Sequence, residues 1–195
     1  SDQPLPLSLP QKAGGRLWLP MLVMALMGFA VGIVLAVIRA NEISNGGAAD
    51  TIAALGQFVP AAMFLGFAAV FAAISFAIAR ILGGLRTSGG AVQQSAGAKV
   101  ETLRTPKTAK AFIAGMALAM MTILVAVVIH VVVGAGVLAG TVSLASAEQS
   151  AIWLEGVRRI GVAIYLFAIA LGLGTIIHVL RFQAIRIREL PGEAQ

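Results

Sequence analysis

Cysteine is absent from the chain. That excludes disulfides, iron–sulfur clusters, thiolate metal sites and covalent haem attachment through C-x-x-C-H. Charge is scarce as well: only 11% of residues are Asp, Glu, Lys or Arg, against 59% hydrophobic ones. Soluble domains carry roughly 25% charged residues, so a water-soluble fold is not expected. Aromatic residues make up 6% and do not interleave with the basic ones. A stacking platform for nucleic acid is therefore missing, and the formal net charge of +6 is not read as a nucleic-acid signal. No P-loop pattern occurs, since Gly89-Gly90 leads into Ala91-Val92-Gln93 rather than a lysine. Nothing resembles a Ser-His-Asp set, a carboxylate pair or an H-E-x-x-H helix, so no enzyme activity is expected.

What the chain does have is length without charge. From Ala111 to Ala147 there is no charged residue, and the middle reads ILVAVVIHVVVGAG. A helix needs roughly 20 apolar residues to cross a bilayer. Four such spans are expected, at about 17–38, 58–79, 109–138 and 160–180. The expected fold is all-α: a polytopic membrane protein with four transmembrane helices in an antiparallel bundle. The first span is too long for a signal-peptide core and has no convincing A-x-A site, so it is expected to be retained.

Around the spans, residues 1–16 read as an extended arm because of Pro4, Pro6 and Pro10, and residues 17–195 as the membrane domain. The Gly-, Ser- and Gln-rich stretch 83–108 reads as a flexible cytoplasmic loop. Residues 147–159 read as an amphipathic helical segment on the outer side, either a short interfacial helix before the fourth span or the start of one long helix projecting beyond the membrane. There Ser146 and Gln149 fit a capping box, and Glu155 and Arg159 an i,i+4 pair. Lys12, Arg16, Arg80, Arg86, Lys99, Arg104, Lys107, Lys110, Arg181, Arg186 and Arg188 fall on one side, against Arg39, Arg158 and Arg159 on the other. The positive-inside rule then places both termini in the cytoplasm of a cell bounded by an inner membrane.

Small residues recur at helical spacing: Gly28, Gly32 and Ala36, then Ala69 and Ala73, then Ala168 and Gly172 beside Ala170 and Gly174. Such rows let helix backbones approach closely, and they imply more packing surface than four helices need. The partners expected are therefore other integral membrane subunits, with anionic phospholipid at the basic ends. His178, Arg181, Arg186 and Arg188 are the candidate headgroup contacts. His130 is the one ionisable side chain deep in a span and the candidate for a cofactor contact. Its face, Met116, Ala119, Ile123, Ala126, Gly134 and Val137, is the one expected to meet another helix, with the imidazole bonded to a Ser, Thr or carbonyl there. No cofactor is predicted, because His130 and His178 fall at opposite ends of their spans. Haem or quinone would need a partner subunit. The reading is a non-catalytic subunit of a larger membrane complex. The alternatives are a small permease or channel-forming oligomer, and a b-haem or quinone-binding electron-transfer subunit.

Overall fold

A computed structural model describes residues 7–97, 99–101, 103 and 106–189. The described chain forms four long helices: α1 (Leu9–Ser44), α2 (Ala49–Ser95), α3 (Lys107–Leu138) and α4 (Leu144–Glu189). Each is long and apolar enough to cross a membrane. At 1.5 Å per residue, α2 and α4 reach about 70 Å, twice the hydrocarbon thickness of roughly 30 Å.

Helix α1 lies against α2 alone, while α2, α3 and α4 all touch one another. The α1–α2 seam is built on glycine. A Cβ on Gly28 would stand 2.9 Å from the Gly66 backbone, and one on Gly14 would stand 2.5 Å from the Phe76 carbonyl oxygen. Only hydrogen fits at either place, so the G-x-x-x-G row of α1 is consumed within the chain. The three-helix core has three levels. Ala54, Val137 and Ala147 meet near the tight turns that join α1 to α2 and α3 to α4. Ala68, Ala119, Ile123 and Tyr165 fill the middle. Ile78, Phe112 and Ala168 close the far end. Gly46 and Gly140 take positive φ in the two turns, the conformation that favours glycine.

Several expectations need correction. The arm 1–16 is helical from Leu9. Ser8 and Gln11 form a capping box, the Ser8 N–H donating to Gln11 Oε1 at 2.9 Å, and Pro10 sits in the first turn, where it needs no donor. Residues 1–6 lie outside the described residues. The loop expected at 83–108 is helix as far as Ser95. Its glycines are contacts rather than breakers: Gly83, Gly89 and Gly90 are buried, and a Cβ on Gly89 would collide with the Gln183 side chain. Thr87 and Ser88 donate to the carbonyls of Gly83 and Gly84, and Gln93 exchanges two hydrogen bonds with the Glu101 backbone at 2.7 and 3.2 Å. The segment 147–159 and the fourth span are one helix, which is one of the two forms the sequence left open. Ser143, not Ser146, caps it, its Oγ accepting the Ser146 N–H at 3.2 Å.

Candidate functional site

His130 has no exposed surface. The residues buried with it on α3 include Ala119, Ile123, Ala126, Gly134 and Val137, the face expected from helical spacing. Its partner is a side chain that sequence reasoning passed over. Gln57 of α2, 2% exposed, places its Oε1 2.5 Å from His130 Nδ1, and its Nε2 donates to the Ala147 carbonyl of α4 at 2.7 Å. With the amide nitrogen committed to that carbonyl, Oε1 must accept and Nδ1–H must donate. One amide therefore ties α2, α3 and α4 together. His130 Nε2 points into the interior with no hydrogen-bond partner among the described residues.

Arg158 of α4 stands nearby, 6% exposed. Its guanidinium lies over the Phe64 ring of α2, 4.4 Å from the centroid, and pairs with Glu155. Glu155 also accepts from Arg159 at 2.8 Å. Arg158 Nε has no partner among the described residues, and the charges of Arg158 and Glu155 both act on His130. The level of this pair follows from Gly161, whose added Cβ would stand 2.7 Å from Ile123. Arg158 is less than one turn from Gly161, so the ion pair runs beside the uncharged part of α3. The Arg158 side chain is inside, 7% exposed, and its carboxylate partner Glu155, 41% exposed, stands at the edge of the contact.

Further along the same junction, Tyr165 is fully buried, stacked on Phe71 at 4.6 Å between centroids, with its hydroxyl 3.1 Å from Met120 sulfur. Thr175, 1% exposed, donates to Leu171 O and meets Thr108 Oγ1 at 2.9 Å. Ser75 and Thr122 instead bond their own helix backbone, as lone hydroxyls in a helix do. Two cavities flank the column. One, of about 450 Å³, lies at the turn end between Arg39, Gln57, Glu148 and Ala147. The other, of about 150 Å³, lies at the far end between Arg86, Glu101, Thr175 and Gln183. Tyr165, Phe71 and Ile123 stand between them.

The remaining candidate residues divide by face. Gly28, Gly32, Ala69, Ala73, Ala168 and Gly172 are buried within the chain, whereas Ala36, Ala170 and Gly174 face outward. Ala36 therefore does not extend the α1 seam. His178, Arg181 and Arg188 are exposed at the end of α4. Arg186 is not free for a headgroup, because it pairs with Glu101 and Glu189. The Glu189 carboxylate, with Glu101 beside it, pushes the guanidinium above its ordinary pKa. His130 is interior and His178 outward, so the two do not share a site. Among the described residues no group of three His, Asp or Glu side chains is placed to hold a metal. Gln57 had one signal in the sequence: it continues the row of Ala54 and Ala61, both buried on the same face. Arg158 had none, since helical spacing does not tell which of Arg158 and Arg159 turns inward.

No family model matches the chain, and neither a curated protein nor a solved structure matches it.

Proposed function

We propose that the chain is a non-catalytic integral membrane subunit that packs onto a larger complex, with both termini on the cytoplasmic side of an inner membrane. The observation that carries this reading is the outer face of α4. Gly174 has nothing within 4 Å of an added Cβ, and Ala170, one turn away, is also exposed. Phe167 and Ile177 flank them at 67% and 53% exposure. The pairs Gly28 and Gly32, Ala69 and Ala73, and Ala168 and Gly172 are spent inside the chain; this row is open, with apolar bulk on either side for a neighbouring helix to grip. Purification in mild detergent tests it. A defined partner should co-purify with the wild type and be lost from A170L/G174L, while the variant stays folded. A wild-type chain that runs alone sinks the proposal.

A second reading, a small permease, is supported by the polar column with a cavity at either end. It predicts solute flux in proteoliposomes that rises when the Tyr165 plug is cut back in Y165A. Flux at the level of empty vesicles in both proteins counts against it.

A further inference from the structure

We propose that Lys12, Arg16 and Arg80 form a binding site for a phosphate group, supplied by an anionic phospholipid, on the seam between α1 and α2. The three cations and Gly15 surround a cavity of about 440 Å³, with Leu7 on its wall and no acidic side chain in its lining among the described residues. None of the three side chains has a hydrogen bond or ion pair with another described residue.

Local geometry forces the cations together. Gly14 lets α1 sit directly on the α2 backbone at Phe76, one turn before Arg80. The Arg80 guanidinium then extends across Gly15, its Nη1 3.4 Å from where a Cβ would be. Lys12 and Arg16, at i and i+4, lie on one face of α1. Like charges at that spacing repel, and a third cation from α2 adds to the cost. An anion among them reverses the sign of every term. Arginine's planar fork suits phosphate oxygens, and lysine supplies a point charge.

The level selects the source of the phosphate. Arg16 immediately precedes the apolar run of α1, and Arg80 follows that of α2. In a bilayer both stand at the boundary between hydrocarbon and headgroups, so the site rests on the membrane reading of the fold. Leu7 offers apolar contact for the glycerol and first methylenes. The basic residues at the end of α4, His178, Arg181 and Arg188, are exposed on one helix and line none of the cavities described here. They serve as the control for unspecific attraction.

The test is native mass spectrometry of the full chain from mild detergent, titrated with phosphatidylglycerol or phosphatidylcholine, with thermal unfolding in millimolar inorganic phosphate as a parallel arm. The wild type should retain phosphatidylglycerol in preference to phosphatidylcholine. K12Q/R80Q should weaken that binding roughly thirtyfold, at about fivefold per surface cation. R181Q/R188Q should leave it within threefold. Equal protection by inorganic phosphate alone would keep the site and overturn its assignment to lipid. If K12Q/R80Q does not fold, K12R/R80K must keep the lipid and R16Q alone must weaken it severalfold. Unchanged binding in K12Q/R80Q, or equal loss in R181Q/R188Q, overturns the site. Failure of the chain to enter bilayers at all would instead overturn the membrane reading.

Discussion

Replacing Gln57 with a leucine of similar size strands the buried His130 Nδ1–H and takes from the Ala147 carbonyl a second hydrogen bond, beyond the one it accepts within α4. A buried polar group left without a partner costs about 1–3 kcal/mol in a protein interior. Interhelical hydrogen bonds in membrane proteins are worth less, about 0.6 kcal/mol on average and at most about 1.7. Q57L should therefore destabilise the fold by about 2 kcal/mol. H130L strands only the Gln57 Oε1 and should cost about 1 kcal/mol. In Q57L/H130L the two atoms that faced each other are both gone, and only the interhelical bond to the Ala147 carbonyl remains lost. The double variant should thus cost about 1 kcal/mol, about 2 kcal/mol less than the singles sum to. Unfolding by titration with sodium dodecyl sulfate, followed through circular dichroism and the fluorescence of Trp18 and Trp153, measures all the corners of the cycle. Independent sites add within about 0.3–0.5 kcal/mol. Additivity within that margin would refute the claim that this hydrogen bond couples α2 to α3.

The glycine seam makes a second prediction. G28L drives a side chain into the Gly66 backbone and should cost about 1–3 kcal/mol. Because α1 touches no other helix, the loss should appear as protease sensitivity of α1 with α2–α4 intact. G174A, which meets open space, should be neutral or stabilising by less than about 1 kcal/mol in the same assay. In the ion-pair cluster, E155Q leaves the buried Arg158 without its carboxylate and should cost about 3 kcal/mol in detergent-titration stability. R159Q, whose side chain is 78% exposed, should stay within about 0.5 kcal/mol. At the plug, Y165F loses only a contact to sulfur and should cost under about 1 kcal/mol, whereas Y165A opens a cavity and should cost about 3–5 kcal/mol by the same titration.

The α-helical class, the four apolar helices and the buried face of α3 were legible in the sequence for one reason. Long uncharged runs and small residues at helical spacing are local properties, and a helix converts spacing directly into a face. Which faces look inward was not local. In a membrane protein both the lipid-facing and the packed surface are apolar, so hydropathy does not separate Gly28 and Gly172, which are buried, from Ala36 and Gly174, which are not. The partner of His130 had the same difficulty. Nothing near His130 in the chain points to Gln57, and only the packing of α2 beside α3 brings the amide within reach. Glycine was misread for a related reason. Its cost in a helix is visible locally, but the compensating contact arises only when another helix arrives, as Gln183 does at Gly89 and Gln11 at Gly83. Arg158 turned inward because Phe64 and Glu155 receive it there, and that choice between neighbouring arginines was made by tertiary packing alone.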